Sequence, residues 1–190
     1  MTSGRRWSER NEIVPEAPIR VAVLTVSDRA SRGAYEDKSG PALADLVERG
    51  LGAQVVVTAI VPDERAAIAG KLRAWADGDV ADLVLTTGGT GLAPRDITPE
   101  ATADVLERHV PGLSEAMRTA SRAITPFGML SRGHAGTRGR CLIINLPGSP
   151  KGAVENLRVV LDVLPHAVAL LREDNSVHAA HDFSDRPTAV

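Results

Sequence analysis

Asp82-Leu83-Val84-Leu85-Thr86-Thr87-Gly88-Gly89-Thr90-Gly91 sets the architecture of this chain. A short apolar run reads as a buried strand, and it empties directly into a loop with three glycines. The same pattern recurs on either side. Ile19-Arg20-Val21-Ala22-Val23-Leu24-Thr25-Val26 is a nearly continuous β-branched run suited to a strand covered on both faces. Val55 to Val61 and Cys141 to Leu146 repeat it. Helical spacing fills the gaps. Leu43, Leu46 and Val47 follow Pro41 at a first helical position, and Gly50 and Gly52 close that helix. Asp63 opens a helix carrying Ile68, Leu72 and Trp75. Thr98-Pro99-Glu100 reads as an N-cap, a first-turn proline and an acid favoured by the helix dipole. A further helix covers 113–122, and the glycine-bearing stretch 121–140 is a hairpin or an irregular excursion. Val154, Leu157, Val160, Leu161 and Leu164 share one face of the last helix. Strand and helix in alternation argue for an α/β domain with a mostly parallel sheet covered on both faces.

The chain has 190 residues and a net charge of -2, which bounds it to about one domain with a core large enough to stand alone. Near-neutral charge argues against a nucleic-acid-coating surface, and 3% aromatic residues against a base-stacking strand binder. The lone Cys141 lies in an apolar run, so no intrachain disulfide forms and an inert buried thiol is expected. No apolar segment follows Arg5, Arg6 and Arg10 to make a secretory signal, and none is long enough to span a bilayer; the expectation is a cytoplasmic protein. Residues 1–18 read as a flexible arm, 19–173 as the domain and 174–190 as a flexible tail. His178 and His181, near Asp182, fall in that tail and are discounted as metal ligands; His166 reads as packing.

In parallel sheets, ligands sit beyond the carboxyl ends of strands near a reversal of strand order. Three loops leave strand ends here: Ser27-Asp28-Arg29, Thr87 to Asp96, and Pro147-Gly148-Ser149-Pro150-Lys151. Gly88, Gly89 and Gly91 let successive amides face an anion, with Thr87 and Thr90 as added donors. The spacing is neither a Walker A loop nor a Rossmann fingerprint. Asp96 suits either a Mg²⁺ ligand beside nucleotide phosphates or an Asx turn. Asp63 suits either a helix cap or a catalytic carboxylate. Ser27 and Asp28 suit a ligand contact and a loop brace, or an ordinary turn. Gly148 and Ser149 could meet a ligand backbone-first beside Lys151, or form a Pro-Gly turn.

Taken together, several ordered motifs resemble the molybdopterin adenylyltransferases of molybdenum-cofactor biosynthesis, the MogA/MoaB family. They are Val26-Ser27-Asp28-Arg29-Ala30-Ser31 with Gly33-Ala34-Tyr35-Glu36-Asp37, Pro62-Asp63-Glu64, Leu85 to Gly91, and Pro94-Arg95-Asp96-Ile97-Thr98-Pro99-Glu100. Pro111-Gly112, Leu130-Ser131-Arg132-Gly133 and Asn145 to Lys151 complete the set. The resemblance implies a three-layer α/β/α fold with a doubly wound sheet, assembled as a trimer or higher oligomer. It implies adenylylation of molybdopterin by ATP with Mg²⁺, releasing pyrophosphate. The family's two important aspartates map onto Asp63 and Asp96, as catalytic residues and as metal ligands. Ser27, Asp28, Thr87, Gly88, Gly89, Thr90, Gly91, Ser131, Pro147, Gly148, Ser149 and Lys151 would then bind nucleotide and pterin. A non-catalytic molybdopterin carrier is the competing reading, and a molybdenum-inserting enzyme is the expected recipient of product.

Overall fold

The computed structural model describes residues 17–173, so the predicted arm up to residue 16, the predicted tail 174–190 and the His178, His181 and Asp182 group lie outside the described residues. A short helix, α1 (Asp28–Ser31), follows the first strand; the strands are β1 Arg20–Val26, β2 Gln54–Val61, β3 Leu83–Thr87, β4 Arg108–His109, β5 Ala135–Arg138 and β6 Cys141–Leu146. They form one sheet in the order β2-β1-β3-β6-β5-β4. The four strands β2, β1, β3 and β6 run parallel, and β5 and β4 add an antiparallel edge. The stretch 121–140 resolves its alternative in part as a hairpin: Gly139 at φ 52 turns β5 into β6.

Side chains alternate between the faces, as the two-residue period of a strand requires. Val21, Val23, Leu83, Leu85, Leu142 and Ile144 join one core with helices α2 (Ser39–Leu51), α5 (Pro111–Ile124), α6 (Pro150–Val160) and α7 (Leu164–Arg172). Ala22, Leu24, Val84, Cys141 and Ile143 join the other with α3 (Arg65–Asp77) and α4 (Thr98–Ala103). The result is the three-layer α/β/α fold expected. Burial pushes the Cys141 thiol up to about 12, which makes it inert.

Helix boundaries depart from expectation where a side chain found a better partner. Pro41 is the third residue of α2, not the first; the start is held by Asp37, whose Oδ1 accepts from the Ser39 and Gly40 amides at 3.1 and 3.0 Å. Asp63 does not cap α3, which starts at Arg65. Thr98 is the first residue of α4 rather than its cap, and its buried hydroxyl has no partner among the described residues. The last helix divides into α6 and α7, joined by a 3-10 turn at Leu161–Val163.

The fold also sets where a site can form. After β1 the chain passes to α2 on one face; after β3 it passes to α4 on the other. β1 and β3 are neighbours, so the loops diverge between them and leave a crevice. Register keeps the strand tips level: Thr25 pairs with Thr87, and Thr87 with Leu146.

Candidate active site

Gly88 sits in the crevice with φ 106, a conformation L side chains rarely adopt. A Cβ there would overlap the Val26 carbonyl oxygen of β1. On its other side, a Cβ on Gly148 would stand 3.1 Å from the Gly88 Cα. Both glycines therefore serve close packing of three strand tips. The Gly88 amide, expected to face a phosphate, donates to the Leu146 carbonyl at 3.3 Å, and the residue is buried. Thr87, expected as an added donor, is fully buried, and its hydroxyl donates to the Pro147 carbonyl at 2.7 Å. Both leave the set of ligand donors because the sheet already satisfies them. The open amides are Gly89, Thr90 and Gly91, which have no hydrogen-bond acceptor among the described residues.

Two carboxylates abut those amides. A Cβ on Gly89 would lie 3.1 Å from Asp63 Oδ1, and one on Gly91 would lie 2.8 Å from Asp96 Oδ2. Asp96 does not make the expected Asx turn: its Oδ2 accepts from the Ala93 amide, three residues before it, at 2.9 Å. Asp63 Oδ2 accepts from the Asp28 amide at 2.7 Å, and Asp28 Oδ1 accepts from the Asp63 amide at 3.2 Å. Arg95 holds Asp28 with both prongs of its guanidinium, at 2.9 and 2.7 Å. The loops after β1, β2 and β3 are thus joined through Asp28.

The two carboxyls of this pair are driven apart. Arg95 holds Asp28 below the usual carboxylate range. Burial raises Asp63, and the negative charges of Asp28 and Asp96 add to that rise. Asp63 and Asp96 both border the loop and offer hard carboxylate oxygens, the donor type Mg²⁺ takes when nucleotide phosphates complete its shell. Among the described residues, no group of three His, Cys, Asp or Glu side chains could hold a metal unaided. The site fits an ion that arrives with phosphate.

Beside the loop lies a cleft of about 300 Å³, lined by Thr90, Gly91, Ser131, Pro147 and Ser149, with Phe127 at its mouth 75% exposed. Ser27 and Ser149 accept from the Ala30 and Gly152 amides, at 3.2 Å each, as helix caps. Lys151 extends into solvent, 82% exposed, with Glu155 at 3.8 Å. Of the expected residues, Asp28, Asp63, Gly89, Gly91 and Asp96 lie against one another, and Thr90, Gly91, Ser131, Pro147 and Ser149 line the cleft; Thr87 and Gly88 turn inward, Gly148 packs on Gly88, Ser27 caps its own turn and Lys151 stands in solvent. Two arginines were missed as site components: Arg95, and Arg132, which donates to the carbonyls of Gly91 and Asp96. Both lay inside quoted motifs, but nothing in their spacing says which loop they reach.

The family described as a probable molybdopterin binding domain matches residues 22–166. The chain belongs to the MogA/MoaB family. This MogA/MoaB chain is 47% identical over 154 residues to the molybdopterin adenylyltransferase of Helicobacter pylori, spanning 80% of this chain and 88% of that one. It is 43% identical over 159 residues to the molybdenum cofactor synthesis protein cinnamon of Drosophila melanogaster, spanning 84% of this chain but only 26% of that longer protein. The solved structure of the molybdopterin biosynthesis enzyme MoaB from Thermus thermophilus superposes with a TM-score of 0.77 at 53% identity, covering 82% of this chain and 97% of that one. Among the described residues, no helix is long and apolar enough to cross a membrane.

Proposed function

We propose that this chain is a cytoplasmic molybdopterin adenylyltransferase. A terminal phosphate oxygen of molybdopterin attacks the α-phosphorus of ATP. A new P–O bond forms, the bond from that phosphorus to the bridging oxygen of the β-phosphate breaks, and pyrophosphate leaves. The supporting observation is the pairing of three open amides, Gly89 to Gly91, with two carboxylates packed on the same loop.

The protein's part is positioning and charge. Amides of Gly89, Thr90 and Gly91 hold phosphate oxygens. Asp63 and Asp96 would hold Mg²⁺, which would offset negative charge on the transferring group. Asp28 and Arg95 fix Asp63 in place. The cleft beside the loop takes the pterin, with Ser131 and Ser149 at its wall, and the exposed Lys151, two residues on from Ser149, supplies a positive charge for the phosphate. Thr87, Gly88, Pro147 and Gly148 shape the floor.

The chain acts as a homo-oligomer, a trimer or a hexamer, and passes its product to a molybdenum-inserting enzyme. Light scattering coupled to size exclusion measures the assembly, and a monomeric mass overturns it. The activity itself is tested by pyrophosphate release from ATP, Mg²⁺ and molybdopterin. Release that drops in Asp96→Asn supports the reading. Calorimetric binding of molybdopterin and ATP without release makes the chain a carrier instead.

A further inference from the structure

Arg132 lies between the 3-10 turn Pro126–Leu130 and β5, and its donors converge on the loop of open amides. Its backbone amide donates to the Thr90 carbonyl at 3.0 Å. Nε donates to the Gly91 carbonyl at 2.8 Å, and Nη2 to the carbonyl of Asp96 itself. Nη1 pairs with Glu100 Oε1 on α4. One planar fork thereby ties the open amides, the Asp96 turn and α4 to the strand that follows it.

The loop's own bonds do less. Asp96 and Ala93 bond to each other through the Asp96 amide, at 2.8 Å, and Oδ2, at 2.9 Å. These set the shape of the turn but not its place over the sheet. The Thr98 amide, bonded to the Gly89 carbonyl at 3.1 Å, anchors only the loop's beginning and end. Glu100 Oε2 is buried with no hydrogen-bond partner among the described residues, so the other oxygen's pairing with Arg132 is that carboxylate's main compensation.

We propose that Arg132 is a positioning residue for adenylyl transfer: it holds the Asp96 carboxylate and the amides of Gly89 to Gly91 in one fixed relation, acting through Asp96. This rests on the adenylyltransferase reading of the site. The role needs a guanidinium, because lysine keeps the charge but cannot direct three bonds from one plane.

The test compares wild type, Arg132→Lys, Asp96→Asn and the double variant by pyrophosphate release. Hydrogen exchange across 89–97 is followed in the ligand-free protein. In Arg132→Lys, amides of that loop exchange faster and kcat falls about tenfold or more, since small misplacements of a reacting group are costly. In the Asp96→Asn background the same substitution has no further effect, the mark of two residues acting as one unit. Glu100→Gln loosens the same amides and carries the test if Arg132→Lys does not fold. An Arg132→Lys enzyme with wild-type turnover and exchange overturns the proposal. So does a loss that multiplies undiminished onto Asp96→Asn. Wild-type protein that releases no pyrophosphate sinks the adenylyl-transfer reading and the proposal with it; normal wild-type turnover with an unimpaired variant sinks the proposal alone.

Discussion

Asp28 and Asp63 each accept a hydrogen bond from the other's backbone amide, at 2.7 Å toward Asp63 and 3.2 Å toward Asp28. Two like-charged side chains are thereby held in contact, which is tolerable because Arg95 neutralises Asp28. The arrangement leaves Asp63 as the carboxylate whose ionisation burial opposes.

Asp63→Asn separates the roles of that side chain. The Asn carbonyl still accepts from the Asp28 amide, so the brace survives. The folded-state pKa of Asp63 is raised, so its charged form opposes folding once the pH rises through that pKa. We expect a melting temperature no lower than wild type at pH 7, with any advantage of the variant vanishing at pH 3. Turnover falls by about a hundredfold, the scale of losing one charge-stabilising group. Scanning fluorimetry at both pH values and a pyrophosphate assay check it; lower stability with full activity makes the residue a brace only.

A second acid test concerns Asp82. Burial pushes its carboxyl up, but hydrogen bonds from Arg20 and Arg172 outweigh that and bring it to about 2. The contribution is full above the unfolded value and disappears as the pH falls through the folded one. It amounts to about 2 kcal/mol, lost between about pH 4 and pH 2. Urea unfolding across that range resolves this step. In Asp82→Asn the step is absent, and stability at pH 7 is lower by about 2 kcal/mol, because the carboxylate's charge is lost to both arginines, leaving Arg20 with Asp79 and Arg172 with the Ala17 and Pro18 carbonyls.

Gly88→Ala probes the crevice. The added methyl meets the Val26 carbonyl and must adopt φ 106. A loss of about 2–3 kcal/mol is expected in urea titration, from left-handed strain plus displaced backbone. Unchanged stability would mean the strand tips are more loosely held than the packing indicates.

Lys151→Ala addresses the rim. At 82% exposure its removal leaves the melting temperature within about a degree, since surface ion pairs contribute little. KM for molybdopterin rises about tenfold while KM for ATP stays, if the ammonium meets the pterin phosphate. Equal effects on both substrates would move Lys151 to the nucleotide side.

The alternation of β1, β2, β3 and β6 with helices was legible because each strand is a compact apolar run, with Pro62, Gly88 or Pro147 directly after the last three and the polar Ser27-Asp28-Arg29 after the first. β4 was not, since Arg108–His109 is two polar residues whose pairing depends on Gly136 arriving from far along the chain. The convergence of Ser27, Asp63, Asp96 and Ser149 on the strand ends was visible from topology. Which groups remain available was not. Gly88 and Thr87 look as ligand-ready as Gly89 and Thr90 until the neighbouring strand's carbonyls are in place. Asp63 has the local pattern of a helix cap, and only the Asp28 amide, 35 positions away, diverts it. Arg132 stayed hidden for the same reason: its partners span 90 to 100 in the sequence.

Gly88, wedged between the Val26 carbonyl and Gly148, has a bearing on how such a domain can change over evolutionary time. A larger side chain at that keystone would force three strand tips to shift together, so drift at this spot is blocked from two directions at once. Variation in ligand preference is left to the periphery, where Phe127 and Lys151 stand in solvent and can be exchanged without disturbing the foundations.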